Sequence, residues 1–210
     1  MLDDKIKQEV TKILAVMVKP VTVKLFTQGM ECSFCKDAHE LLNDLMTTTD
    51  KLKLEVMDFE NHEAEAKKYG VEELPTIIVM EEKDFGIRFT GIPAGYEFSS
   101  LLNAFLMVST GVVKLTEETK KFLDNLQKPV QMKVFVTPTC PYCPPAVMMA
   151  QAMAYYSDKV TAEMIEISEF PHQAVKYGVQ GVPRTVINEK WFQEGAAPEQ
   201  MLVEKIKEAL

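Results

Sequence analysis

The sequence has fewer positive than negative charges, no long apolar run and no cysteine outside two closely spaced pairs. With 23 Lys and Arg against 31 Asp and Glu, the net charge of −8 argues against nucleic acid or an anionic membrane as the main partner. No apolar run reaches the length of a membrane-spanning helix, and the N-terminus lacks the basic start and apolar core of a signal peptide. We therefore expect a cytoplasmic protein that binds neither nucleic acid nor membrane.

Cysteine is scarce as well, and its placement is informative. The 210 residues contain only four cysteines, arranged as two Cys-x-x-Cys pairs, Cys32 with Cys35 and Cys140 with Cys143. A secreted disulfide scaffold would spread its cysteines to cross-link distant loops. Pairs at this short spacing indicate either thiol–disulfide redox chemistry or a metal site. The sequence has no Gly-x-Gly-x-x-Gly motif with which it could bind a nucleotide directly.

The second pair stands between a short apolar strand pattern, residues 132–136, and an apolar helical pattern, residues 146–156. In the first turn of a helix, residues i and i+3 share a face, so the two sulfurs come within bonding reach. The helix start also offers unpaired N–H groups and a positive dipole end, which favour a thiolate at Cys140. This arrangement predicts a centre for disulfide exchange.

The chain contains an internal repeat. The segment Lys-Pro-Val at 19–21 recurs at 128–130, an offset of 109 residues. The cysteine pairs, the segment Lys-Tyr-Gly-Val at 68–71 and Pro75 recur at an offset of 108. We therefore predict two tandem units of about 100 residues, 1–113 and 114–210. Because no Gly/Ser-rich or Pro-rich spacer separates them, we expect the units to pack on one another.

Within each unit, the hydrophobic periodicity predicts the order α-β-α-β-α-β-β-α. A strand–helix–strand crossover followed by a hairpin indicates an α/β fold with a four-stranded mixed sheet flanked by helices. Ser99 is predicted to cap the last helix of the first unit.

These features resemble the thioredoxin fold, in which Cys-x-x-Cys follows the first main strand and an apolar residue with a proline precedes a later strand. The segment Cys140-Pro141-Tyr142-Cys143 is typical of glutaredoxins. Two fused units, each with its own cysteine pair, resemble the protein disulfide oxidoreductases of hyperthermophilic archaea and bacteria. The resemblance implies that Pro75 and Pro183 are in the cis form and face the cysteines. It also implies that a substrate strand pairs with the backbone at Leu74 and Val182.

The resemblance implies a dithiol–disulfide oxidoreductase that reduces, forms or isomerises protein disulfides. Cys32 or Cys140, exposed at its helix start, would attack a substrate disulfide as a thiolate, and the deeper Cys35 or Cys143 would release the product. The cysteines carry the electrons, so no bound cofactor is required. The expected partners are protein or peptide disulfides and a thioredoxin reductase that supplies reducing equivalents.

Two alternatives remain. One is an electron-relay module, similar to the N-terminal part of the flavoprotein that reduces alkyl hydroperoxide peroxidases; that module lacks a cysteine pair in its first unit, so Cys32 and Cys35 argue against it. The other is a Cys₄ metal-binding module or a set of structural disulfides. Zinc ribbons usually bring together pairs that lie within tens of residues, whereas these pairs are 108 residues apart.

The residue that takes the proton of the buried cysteine is not given by the thioredoxin pattern. Thioredoxins carry a buried Asp six residues before the first cysteine, but here Phe26 and Val134 occupy that position. Asp58 and Glu166, at matching strand ends, either handle the proton or simply cap the loop that follows, and we favour the second interpretation. Arg184, next to Pro183, either binds an anionic substrate group or is an exposed loop charge.

The two sites are predicted to differ in reactivity. Glu31 precedes Cys32 and disfavours its thiolate, whereas the neutral Thr139 precedes Cys140, so Cys140 should have the lower pKa. In reduced variants that keep only one of these two cysteines, we expect iodoacetamide to label Cys140 faster than Cys32 at neutral pH. Slower labelling of Cys140 would contradict this prediction.

Overall fold

The central strand of each repeat is apolar and buried along most of its length, and the rest of the repeat is built around it. A computed structural model describes residues 1–29 and 32–210 of the chain. In it, strand β1 (Val21–Thr27) and strand β5 (Val130–Val136) occupy these central positions. Val23, Leu25, Val134 and Val136 are at most 1% exposed. β-branched and aliphatic side chains of this kind favour strands that are covered on their faces.

The described residues form eight α-helices and eight strands in the predicted order. The first repeat consists of α1 (Asp4–Leu14), β1, α2 (Cys35–Met46), β2 (Leu52–Asp58), α3 (Glu63–Tyr69), β3 (Thr76–Met80), β4 (Asp84–Thr90), a 3₁₀ turn (Gly95–Glu97) and α4 (Phe98–Thr110). The second consists of α5 (Glu117–Asp124), β5, α6 (Cys143–Tyr156), β6 (Val160–Glu166), α7 (Pro171–Lys176), β7 (Arg184–Ile187), β8 (Trp191–Glu194) and α8 (Glu199–Glu208).

Each repeat contributes four strands with the same connectivity. The order is β2-β1-β3-β4 in the first and β6-β5-β7-β8 in the second. In both, the central strand pairs in parallel with one neighbour and antiparallel with the other, and a hairpin adds the fourth strand. The predicted α/β fold with four-stranded mixed sheets is confirmed.

The two sheets join edge to edge into one sheet of eight strands. Strand β4 pairs in parallel with β6, from Ile87 opposite Ala162 to Thr90 opposite Ile165. At this junction Thr90 Oγ1 donates a 2.6 Å hydrogen bond to Glu163 Oε1. Helices α4 and α6 pack together, and one hydrophobic core runs through both repeats. The units therefore share a backbone ladder and a core.

The start of α4 differs from the prediction. The helix begins at Phe98, and Ser99 does not cap it, since its hydroxyl donates instead to the carbonyl of Tyr96. A 3₁₀ turn directly precedes Phe98 and leads into the helix. In this turn, the backbone N–H of Tyr96 donates a hydrogen bond to the carbonyl of Pro138 at 2.9 Å. The helix start is thus set by a contact with the second repeat, which a local capping pattern cannot reveal.

Gly86 allows β6 to approach β4 closely. It has φ +75°, and an added Cβ would lie 2.7 Å from the carbonyl oxygen of Val160. Gly86→Ala should therefore lower the free energy of unfolding by about 2–4 kcal/mol, through backbone strain and steric overlap together. Urea unfolding measures the loss.

Gly178→Ala is the matched control for this variant. Gly178 has φ +60°, and nothing lies within 4 Å of its added Cβ, so only the strain of about 1 kcal/mol applies. Equal losses in the two variants would show that β6 does not press on Gly86.

Candidate active site

Both cysteine pairs form disulfides at the starts of helices. In each pair the two Cα atoms lie 5.5 Å apart, a spacing typical of disulfides. Cys35 is the first residue of α2 and Cys143 the first of α6, so the second cysteine of each pair enters its helix and the first precedes it. The unpaired N–H groups and the positive dipole end of each helix lie beside the sulfurs, where they stabilise a thiolate.

A cis-proline lies in the loop before the third strand of each repeat. The bonds Leu74–Pro75 and Val182–Pro183 are both cis, as the resemblance implied. Pro75 and Pro183 are buried, whereas Leu74 and Val182 are half-buried. In the second repeat, Cys140 Sγ lies 3.8 Å from the carbonyl oxygen of Val182. The structure thus brings the second cysteine pair and its proline loop together.

The four cysteine side chains differ in exposure. Cys35 and Cys143 are 4% and 0% exposed, in agreement with their predicted deeper position. Cys32 is half-buried, but Cys140 is only 8% exposed, so the expectation of an exposed Cys140 is wrong for the disulfide form. The Val182 backbone lies against Cys140, and the loop before it is tied to Tyr96 through Pro138. Glu31, on which the predicted pKa difference depends, lies outside the described residues.

The strand-end carboxylates hold the loops that follow them. Asp58 Oδ1 accepts a hydrogen bond from the backbone N–H of Asn61 at 3.1 Å. Glu166, 2% exposed, accepts from the backbone N–H groups of Ser168 and Glu169 at 3.0 and 2.8 Å. These bonds confirm the loop-capping interpretation that we favoured.

Arg184 is not the exposed loop charge that was one of the two roles considered for it. Its side chain is 12% exposed, forms an ion pair with Glu194 and lies 3.7 Å from the centre of the Phe192 ring. The guanidinium is therefore held within the β7–β8 hairpin, between a carboxylate and an aromatic face.

Glu97 is a buried acid that the sequence analysis did not single out, on the turn that is bonded to Pro138, two residues before Cys140. It is 1% exposed, and the 3₁₀ turn that carries it contacts helix α6. Its Oε2 accepts a 2.6 Å hydrogen bond from the Ser100 hydroxyl, while the buried Oε1 has no hydrogen-bond partner. Burial raises the pKa of Glu97 to about 7. A carboxyl group with this pKa can accept and return a proton at neutral pH.

A signal for Glu97 is present in the sequence. It is the one charged residue between positions 89 and 113, and an isolated charge in an apolar stretch marks a group that is either specifically partnered or functional. The repeat comparison could not reveal it, because the contact is made across the two repeats.

A second carboxyl group, Glu169, lies between the repeats. Its Oε1 accepts from the backbone N–H of Ile92 at 2.9 Å, and its buried Oε2 has no hydrogen-bond partner. Burial, followed by the nearby charges of Glu166 and Asp37, raises the pKa of Glu169 to about 7. Nothing in the local sequence distinguishes Glu169 from an exposed loop acid.

The described residues contain no group of three or more His, Cys, Asp or Glu side chains arranged to hold a metal ion. Within the same residues, no helix is both long and apolar enough to cross a bilayer.

Comparison with known proteins places the chain among thioredoxin-fold proteins. The thioredoxin family model matches residues 4–104, and a thioredoxin-domain model matches residues 130–208. Curated relatives include alkyl hydroperoxide reductase proteins of Xanthomonas campestris pv. phaseoli, 22% identical, and Staphylococcus aureus, 25% identical, each matched over 98% of the chain. The chain spans 37% and 38% of the length of these relatives.

Solved structures that match nearly the whole chain include the following two. The NTD_N/C domain of the alkyl hydroperoxide reductase from Enterococcus faecalis has a TM-score of 0.91 and 26% identity, covering 98% of this chain and 100% of that one. A protein disulfide oxidoreductase from Aeropyrum pernix has a TM-score of 0.93 and 31% identity, covering 100% of this chain and 94% of that one. With its two disulfide-bonded Cys-x-x-Cys pairs, the chain belongs to the protein disulfide oxidoreductases built from two thioredoxin-fold domains.

Proposed function

We propose that this protein exchanges disulfides with polypeptide substrates through both cysteine pairs, with Cys32, Cys35, Cys140 and Cys143 as its catalytic residues. The observation that carries the proposal is the occurrence, twice in one chain, of a disulfide at a helix start together with a cis-proline loop. Leu74 and Val182 would offer their backbone groups to an extended substrate segment beside Pro75 and Pro183. The units act as two domains that divide near residue 113.

The chemistry needs only the cysteines. In the reductive direction, the thiolate of Cys140 attacks one sulfur of a substrate disulfide, forms a mixed disulfide and expels the other substrate sulfur as a thiolate. Cys143 then loses its proton and attacks Cys140 Sγ, which closes the protein disulfide and releases the second substrate thiolate. Two electrons pass to the substrate, and a partner dithiol, such as that of a thioredoxin reductase, restores the reduced pair. The same steps run backwards form a disulfide in the substrate.

Glu97 is the proposed proton acceptor for Cys143. Its carboxyl group is carried by a turn that contacts α6, the helix that Cys143 begins, and one of its oxygens has no hydrogen-bond partner. An acceptor with a pKa near 7 can take the thiol proton as Cys143 attacks and return it in the reverse direction. Glu97 is thus proposed as proton acceptor in place of Asp58 and Glu166, whose carboxylates bind the backbone of the loops that follow them.

A second candidate function is electron relay in a peroxidase system. It is favoured by the match of the whole chain to the NTD_N/C domain of an alkyl hydroperoxide reductase and to little more than a third of the curated reductase proteins. In a relay, the chain would pass electrons from a reductase to a peroxidase rather than to varied protein disulfides. Turnover with a peroxidase that greatly exceeds insulin reduction would favour this function.

The exchange activity can be assigned to each pair separately. In Cys32→Ser/Cys35→Ser and Cys140→Ser/Cys143→Ser double variants, we expect insulin reduction and refolding of scrambled ribonuclease to persist at a reduced rate. The variant that lacks all four cysteines should be inactive in both assays, because no other group in the proposal carries electrons. Full activity of that variant would refute the proposal, and an inactive double variant would assign the activity to the pair it lacks. A redox titration of each double variant then measures the potential of the remaining pair.

Glu97 should make stability depend on pH. Its pKa in the folded protein lies above its ordinary value, so the associated stability is complete at low pH and is lost as the pH rises from about 4.5 through 7. Gln resembles the protonated acid, so Glu97→Gln should gain up to about 3 kcal/mol relative to the wild type between pH 5 and pH 8. Urea unfolding at both pH values measures this difference, and the exposed Glu118→Gln should show none.

The same substitution tests the proton transfer. In the variant that keeps only Cys140 and Cys143, Glu97→Gln should slow insulin reduction at pH 7 about tenfold or more, because the acceptor is lost. An unchanged rate in a folded protein would remove Glu97 from the mechanism and leave the cysteine chemistry intact.

A further inference from the structure

The proline loop of the first site is contacted by the second repeat. A segment of the second repeat, residues 169–173, which follows β6 and enters α7, contacts Ile92 and the side chain of Glu73. At one end of this segment, Glu169 Oε1 accepts from the Ile92 N–H at 2.9 Å. At the other end, His172 Nε2 and Gln173 Nε2 lie 2.6 Å from Glu73 Oε1. Glu73 comes two residues before Pro75, so this end of the segment is bonded to the proline loop.

Glu169 is connected to Pro75 through the backbone of Gly91 and Ile92. Gly91, next to Ile92, donates its N–H to the carbonyl oxygen of Pro75 at 2.9 Å. A Cβ added to Gly91 would lie 3.0 Å from Glu169 Oε2, so the carboxyl group rests on the backbone that is bonded to Pro75. The second site lacks this support: Gly195 donates in the same way to Pro183, but nothing lies within 4 Å of a Cβ added there.

Besides burial, the raised pKa of Glu169 has a contribution from the helix that begins at Cys35. Asp37, in the first turn of α2, is one of the two carboxylates whose charge acts on Glu169, and Glu166 is the other. Since electrostatic coupling is mutual, ionised Glu169 adds negative potential at Asp37, in the same first turn of α2 as Cys35.

We propose that Glu169, a residue of the second repeat, is a positioning residue for the Cys32–Cys35 site: its carboxyl group holds the backbone that is bonded to Pro75 and sets the charge beside the first turn of α2. The inference rests on the proposed function, because it assumes that Cys32 and Cys35 exchange disulfides. Both repeats then contribute to the first redox site: its cysteines belong to the first repeat, and Glu169 belongs to the second.

The two tasks of Glu169 can be separated by substitution. Glu169→Gln keeps an oxygen that can accept from Ile92 and removes the charge, whereas Glu169→Ala removes both. The measurements use the full chain with Cys140→Ser and Cys143→Ser, so that only the first site reacts. The pH profile of iodoacetamide alkylation reports the Cys32 thiolate, and insulin reduction reports the substrate loop.

For Glu169→Gln we expect alkylation of Cys32 at pH 8 to rise about threefold, with the midpoint of its pH profile shifted downwards, while KM for insulin stays the same. For Glu169→Ala we expect the same shift together with a several-fold higher KM, because the backbone that is bonded to Pro75 loses its acceptor. Glu118→Gln, the same chemical change on an exposed helix, should change neither.

An alkylation profile that is unchanged in both Glu169 variants would overturn the proposal. So would a matching change of Cys140 in the variant that keeps only the second site, because the effect would then be global. A purely structural role would lower stability without moving the alkylation midpoint of Cys32. If the parent protein, with Glu169 intact and only the first site, fails to reduce insulin at all, the proposed function of that site fails instead.

Discussion

The parallel pairing of β4 with β6 is the constraint on which the rest of the structure depends. It joins two four-stranded sheets into one and lets helices α4 and α6 close over a shared core. Because each repeat is held in one orientation, groups from one can be placed reliably beside the redox centre of the other. Thr90 and Glu163 show how closely the junction is fitted, since a buried hydroxyl meets a half-buried carboxyl group across it. Such a polar pair strengthens the register of the junction as well as its stability.

The junction also makes two similar repeats chemically different. The Gly95–Glu97 turn of the first repeat supports the loop ahead of Cys140, whereas the Glu169–Gln173 segment of the second supports the loop around Pro75. The first contact is thus made near the cysteines of the second site, and the second contact is made near the proline loop of the first site. Duplication supplied two copies of the same local chemistry, and edge-to-edge packing then gave each copy a different environment. The covered Cys140 and the half-buried Cys32 reflect this difference.

Local features were predictable from the sequence because they depend on local physics. The cysteine spacing, the two prolines and the order of helices and strands follow from patterns a few residues long, and the offset between repeats strengthened each of them. The positions of Glu97 and Glu169 were not predictable in the same way. Both depend on which sheet edges meet, and strand β4 would show the same apolar pattern whether it paired with β6 or was covered by a helix. The burial of Cys140 is likewise set by neighbours distant in sequence, Val182 and the turn before Phe98.

The joining of β4 to β6 pairs two unlike edges, and this has a consequence for assembly. Strand β6 is the counterpart of β2, and β8 is the counterpart of β4, so the free ends of the eight-stranded sheet are the same two kinds of edge that meet in its middle. A head-to-tail contact of this type does not close on itself and can extend from chain to chain as a filament.

The two outer strands of the sheet have features that oppose such edge-to-edge pairing. Strand β8 has four residues where β4 has seven, and its Trp-Phe-Gln-Glu sequence has no counterpart of Gly86, the glycine that admits the neighbouring backbone. Strand β2 presents Lys53 and Glu55 along its length, and charged side chains discourage edge pairing. The short, glycine-free strand β8 and the charged strand β2 both therefore disfavour a further edge-to-edge contact.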